Sequence, residues 1–343
     1  VKKNMDKDKE KKQLTLEEAM AKLDKDYGPG SIISGDEIVE CTEFVSTGSL
    51  GLDIALGVGG LPSDGKIIEL YGWESSGKST LIQTIVGNFQ KKYPDKKVIY
   101  VDSEHSLDRK YSIKLGLDLS TLIVIQLDEG AGEAAFNKVN TLVSTGMISA
   151  VVYDSYNAMQ PKKIVDGELG DATMGVHARL MGQSISQDNA ACTKYGTNFI
   201  YIGQLREKIG VMFGSPETTQ GGNALKFYAH VRLECTRSTT KDNSSFNEDK
   251  DKISNLHKVV VKKNKVGAPF KSAEYHIIYG EGIDKYNELI NYAHEYKVLK
   301  KWGKDITYEE TKYLDTDFMD NLRDSEELFF EIREKVLKLA LGK

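Results

Sequence analysis

Eight residues limit this chain more than any others do. The run GWESSGKS (residues 72–79) fits the pattern G-x-x-x-x-G-K-[ST]. It follows an apolar stretch, GKIIELYG, and opens a helix-like one, GKSTLIQTIVGNFQKK. A strand, a glycine turn and a helix in that order are the context in which this pattern cradles phosphate. Gly72 and Gly77 permit a tight turn, and with Glu74, Ser75 and Ser76 they bring backbone N–H groups up to phosphate oxygens. The helix N-terminus that carries Thr80 adds a dipole favourable to an anion. Lys78 reaches the β- and γ-phosphates as a point charge, and Ser79 offers a hydroxyl to Mg²⁺.

The surrounding sequence predicts an α/β fold. Apolar runs recur at KVIYVD, LIVIQL, AVVYD and NFIYIG, with helix-compatible segments between most of them, which is the pattern of a largely parallel sheet. HVRLECT, HKVVVKKNKV and AEYHIIY follow with little helix between them, so antiparallel strands are expected to extend the sheet. The polar stretch RSTTKDNSSFNEDKDK between the first two reads as a mobile loop. Ahead of the core, Leu16, Ala19, Met20 and Leu23 form a stripe at i, i+3, i+4, i+7, giving one helix that ends at Gly28-Pro29-Gly30. That helix packs either on its own domain or on a neighbouring subunit. Two amphipathic helices after residue 284 mark a small C-terminal α/β domain. The expected division is 1–33, 34–283 and 284–343.

Composition excludes several classes. Apolar residues make up 40% and charged residues 28% of 343, ordinary for a globular core. No apolar run approaches the ~20 residues of a membrane span. The start, VKKNMDKDKEKKQ, is a charge run without a secretory signal behind it. Cys41, Cys192 and Cys235 lack metal-ligand spacing and read as reduced thiols of a cytoplasmic protein. A net charge of −5 argues against a generally basic nucleic-acid coat but leaves room for a local basic groove.

Two acids stand at strand ends where ligands of open α/β sheets bind. Asp154 closes ISAVVYD and is placed to hold Mg²⁺, largely through water. Glu104, in VDSEHSLD, is a better candidate than Asp102 for orienting an attacking water, and His105 reads as structural. One long segment, QLREKIGVMFGSPETTQGGNALKFY (204–228), is too apolar for a linker and too broken for an element.

These segments, with STGSLGLDIALGVGGLPSDGKIIELYG, GELGDATMG and KKNKVGAPFKSAEYHIIYGEGID, resemble the bacterial RecA recombinases in colinear order over roughly residues 15–284. The resemblance implies an ATP-dependent strand-exchange protein with a RecA-like ATPase core. Such a protein polymerises on single-stranded DNA, pairs it with homologous duplex and serves DNA repair and the SOS response. It further implies that ATP lies between subunits. Lys78 and Ser79 then serve phosphate and Mg²⁺, Glu104 is the catalytic glutamate, and Asp108 and Tyr111 contact adenine. Lys263 and Lys265 reach the neighbouring protomer's ATP, as an arginine finger does, and Gln204 senses the γ-phosphate. Residues 161–175 match the first DNA-binding loop and 205–223 the second. They offer Met174, Gly175, Arg206, Lys208, Ile209, Phe213, Gly221, Gly222 and Asn223, with Arg179 just beyond the first. Backbone contacts and apolar wedges suit a protein that accepts any sequence. Leu16, Met20 and Leu23 match the polymerisation helix and Phe227 an interface position. A ring-shaped helicase of the same fold, and an ATP-binding DNA regulator without turnover, are the alternatives.

The chain also departs from the family. Gly203 stands where Asn is usual, which predicts a looser switch. Glu207 adds a carboxylate to the second loop, and QSISQDNAACTKYG lacks the basic residue usual in that helix of the family, so weaker DNA binding is expected. Loop 238–252 is long and polar, and the final KLALGK lacks the acidic tail that restrains bacterial members. A divergent bacterial and a phage-encoded member both fit these differences.

Overall fold

The computed structural model describes residues 14–28, 32–37, 41–127, 132–168, 175–207, 217–219, 223–238, 244–246 and 252–342. It divides into two compact units, 1–41 and 42–343. The first contains α1 (Leu16–Tyr27), of which no residue is buried. Its start is fixed by a reciprocal cap: Thr15 Oγ1 accepts from the Glu18 N–H, and the Glu18 carboxylate accepts from the Thr15 N–H. Gly28, at φ +102°, ends it.

The second unit is built on one large sheet. Its strands are β1 (Ile67–Gly72), β2 (Lys97–Asp102), β3 (Leu122–Gln126), β4 (Ile148–Asp154), β5 (Asn198–Glu207), β6 (Val231–Arg237), β7 (Lys252–Asn264), β8 (Ser272–Ile278) and β9 (Gly282–Ile283). They lie in the order β9-β8-β7-β6-β1-β5-β4-β2-β3. Pairings from β6 through β3 are parallel, and those from β6 to β9 are antiparallel. The expected mixed, mostly parallel sheet is therefore present.

Burial explains the apolar runs. Every residue of β1 and β4 is buried, as parallel strands covered on both faces require. One face packs against α3 (Lys78–Lys92), through Leu81, Ile82, Ile85, Val86 and Phe89. The other packs against α5 (Gly132–Val143) and α6 (Val176–Tyr195). The shorter helices α2 (Leu50–Ala55) and α4 (Arg109–Lys114) lie before and after β1–β2 in the chain.

A third apolar cluster joins α2 to α7 (Lys285–Glu295), α8 (Asp315–Asp324) and α9 (Glu326–Leu341), together with a small antiparallel sheet of residues 300–302, 305–308 and 311–314. Two buried polar clamps reinforce it. Glu288 of α7 accepts from Ser49 Oγ and from the N–H groups of Leu50 and Gly51. Arg333 of α9 donates to Ser46 and to Asp53, which is fully buried.

Two segments read as loops contain short strands. Ser244–Phe246 pairs with the start of β7, which begins five residues before its apolar run and so presents a backbone edge. Glu217–Thr219 pairs back on the end of β5, setting Leu205 opposite Thr219 and Glu207 opposite Glu217. The long segment after Gln204 is thus rooted in a ladder.

Candidate nucleotide site and docking edge

The parallel register brings the candidate residues to one edge. Gly72 pairs with Gln204 across β1–β5, and Asp102 pairs with Asp154 across β2–β4. The glycine loop leaves β1 at this edge. Gly72 has no room for a side chain, since a Cβ would fall 2.2 Å from the Cys235 carbonyl oxygen. Gly77 turns into α3 at φ +85°, a conformation that favours glycine. Lys78 Nζ donates to the Gly72 carbonyl at 3.2 Å and the Trp73 carbonyl at 2.7 Å. Burial lowers its pKa, while Asp154, Glu104 and Glu74 are among the groups that hold it up.

A cavity of about 380 Å³ opens on this loop, lined by Ser75–Thr80 and Tyr111 and closed by Arg237, His257, Ile277 and Tyr279. Tyr111 OH lies 3.0 Å from Thr80 Oγ1. Asp108 caps α4, its Oδ1 accepting the Tyr111 N–H at 2.7 Å. The sequence reading missed His257, whose Nδ1 is 3.1 Å from the Ser76 carbonyl, because only the β7 register brings it to the loop.

Glu104 gathers two neighbours on one oxygen. Its Oε1 accepts from Ser155 Oγ at 2.6 Å and from Gln204 Nε2 at 3.1 Å. The Gln204 backbone N–H is fixed by Asn157 Oδ1 at 2.9 Å. Neither Ser155 nor Asn157 carries a sequence signal. Asp154 accepts from Tyr100 OH, and burial pushes its pKa up to about 6, with Glu104 and Asp102 adding repulsion. Carboxylate oxygens that repel one another beside an exposed Ser79 suit Mg²⁺, which is held by one or two protein oxygens together with phosphate and water. Among the described residues no cluster forms a complete metal cage.

Lys263 and Lys265 lie at the far edge. Lys263 pairs with Arg232 near the start of β6, whereas His257, on the same strand, touches the glycine loop. Six residues of strand separate them, roughly 20 Å at about 3.3 Å each. Lys263 Nζ donates to the carbonyls of Lys226 and Phe227 at 2.8 and 2.9 Å, holding the short helix Ala224–Tyr228 whose Phe227 is 74% exposed. Of the candidate DNA contacts, Arg179, Arg206 and Asn223 are exposed, and Gly175, at φ +75°, starts α6. Met174, Lys208, Ile209, Phe213, Gly221 and Gly222 lie outside the described residues. Leu16 and Leu23 of α1 are exposed and Met20 partly so.

Residues 14–284 match the RecA N-terminal domain family. The chain is 46% identical over 300 residues to protein RecA of Bifidobacterium breve, covering 87% of this chain and 74% of that one. Against protein RecA of Cytophaga hutchinsonii it is 45% identical over 332 residues, 94% and 90% of the two chains. Against that of Streptomyces venezuelae it is 44% identical over 339 residues, 96% and 86%. With these matches running through the glycine loop, the strand-end acids and the lysine strand alike, the chain belongs to the RecA family of DNA-dependent ATPases and recombinases.

Proposed function

We propose that this protein assembles as a helical filament on single-stranded DNA, pairs it with homologous duplex, and hydrolyses ATP between adjacent protomers. The observation that carries this reading is that the glycine loop with its acids and the lysine pair lie at opposite strand ends of one sheet. The glycine loop, Glu104 and Asp154 stand at the carboxyl ends of the parallel strands, and Lys263 and Lys265 at the other end. A lysine pair so far from its own loop serves a neighbour's nucleotide, which makes turnover depend on docking.

Within one protomer, Lys78 exchanges its loop carbonyls for phosphate oxygens as ATP binds. Glu104 positions the attacking water and accepts its proton. Ser79 and Asp154 are the residues to hold Mg²⁺, which when bound neutralises charge on the phosphates. Gln204, bonded to Glu104 and rooted beside the second DNA loop, links nucleotide state to loop order. The absence, among the described residues, of a helix long and apolar enough to cross a membrane is compatible with action on cytoplasmic DNA.

The test is ATP turnover with and without single-stranded DNA, together with electron microscopy of the assembled state. DNA-stimulated turnover and open helical filaments are expected, and Lys78→Ala should abolish turnover. Closed rings would favour a helicase instead, and turnover indifferent to DNA would favour a regulator.

A further inference from the structure

The docking edge holds a histidine that the free protomer does not explain. His230 sits between the start of β1 and the end of β7. Its N–H donates to the Ile67 carbonyl at 2.7 Å, and its carbonyl accepts from the Lys265 N–H at 2.9 Å. The side chain is partly exposed, yet Nδ1 is shut off from solvent and has no hydrogen-bond partner among the described residues. Histidines kept for structure normally satisfy a buried nitrogen, because leaving one unmatched costs about 1–3 kcal/mol.

Its surroundings are cationic. Lys265 and Lys263 face it from the end of β7, and Lys66 from the turn before β1. Asp64, in an ion pair with Lys66 at 3.1 Å, is the acid nearby. Farther along β6, Arg232 is already paired with the fully buried Glu69. Burial first, then the charges of Lys265, Lys66 and Lys263, lower the imidazole pKa to about 4, so the ring is neutral in the free protomer.

We propose that His230 is a third cation of the docking edge, neutral in the free protomer and protonated when the neighbouring protomer's nucleotide phosphates arrive against Lys263 and Lys265. The inference rests on the reading of those lysines as acting in trans. A triphosphate brings several negative charges to a site whose present field is positive, which favours the charged imidazole. The proton comes from solvent, and up to one is taken up at each protomer interface formed. Assembly therefore tightens as pH falls, and the ring adds its charge only in the docked state.

The experiment measures filament assembly on single-stranded DNA with a non-hydrolysable ATP analogue between pH 6 and 8. Proton uptake is read by calorimetry in two buffers of different ionisation enthalpy. The wild type should take up protons on assembly and assemble several-fold more tightly at pH 6 than at pH 8. His230→Gln and His230→Asn should both lose that component of uptake and of pH dependence, while His230→Lys should assemble with a flatter profile. Circular dichroism confirms that each variant used is folded. Unchanged uptake in the folded Gln and Asn variants would overturn the inference. Lys263→Ala, run in parallel, separates the two readings. If it leaves DNA-stimulated turnover intact, the trans role itself fails. If it impairs turnover while the histidine variants behave as wild type, only the role of His230 fails.

Discussion

Asp188 shows how a single buried acid shapes the pH response. It lies on α6 against the sheet, 1% exposed, with the hydroxyls of Tyr153 and Tyr201 both donating to Oδ2. Burial raises its pKa to about 7. Between the ordinary carboxylate value of about 4 and that figure, the native state keeps a proton that the unfolded chain has lost. Stability therefore falls as pH rises across this window and levels off above it. Glu288, at about 7, and Asp154, at about 6, act with the same sign. Asp188→Asn retains an acceptor for the tyrosines and removes one titration. Urea unfolding from pH 4 to 8 should show the slope reduced by up to about 1.4 kcal/mol per pH unit. Gly203 carries another residue-scale lesson. A Cβ there would lie 2.8 Å from the fully buried Tyr156 ring, so the glycine is matched to its neighbour.

On the proposed reading, the strand β5 and its continuation are the element through which nucleotide state reaches DNA. Gln204 is held at its backbone by Asn157 and at its side chain by Glu104, and the ladder to Glu217–Thr219 begins one residue later. Gln204→Ala leaves the glycine loop untouched while cutting the link to Glu104. ATP binding should stay within about twofold of wild type, and the gain in DNA affinity on adding nucleotide should shrink about tenfold or more. Fluorescence anisotropy with labelled oligonucleotide, with and without ATP analogue, checks this. The parts of this site visible in the sequence share one property, which is fixed spacing along the chain. GWESSGKS and the acids closing apolar runs are local, and the α/β alternation follows from burial on two faces. Ser155, Asn157 and His257 come to the site through register and turns, which no spacing encodes. The short strands Ser244–Phe246 and Glu217–Thr219 were hidden for a related reason. Their mostly polar residues carry no alternation long enough to read, and only the partner strand's free backbone edge makes them strands.

On the scale of the whole 42–343 unit, the C-terminal helices are fastened to the segment STGSLGLD by charge as well as by apolar packing. Arg333 is 12% exposed and Asp53 fully buried, and burial lifts the Asp53 pKa while the guanidinium opposes the rise. Removing one partner of such a pair leaves an unmatched buried charge, at about 3–5 kcal/mol. Arg333→Ala should lower the urea-unfolding free energy by that order, and the double change Asp53→Asn with Arg333→Met should cost clearly less than the single one. The longest strand adds a different consequence. Between Val261 and Lys263 the β6–β7 register slips by one residue, so that Lys262 reaches Glu234 while Lys263 still turns to the carbonyls of Lys226 and Phe227. An extra residue of this kind re-aims a side chain that strict alternation would send into the core. If Lys263 acts on the neighbouring protomer as proposed, filament geometry is thereby tied to chain length at one point. Loss of Lys262 would cost the protein little charge, but on that reading it would shift by one residue the reach of Lys263 toward the neighbour's nucleotide.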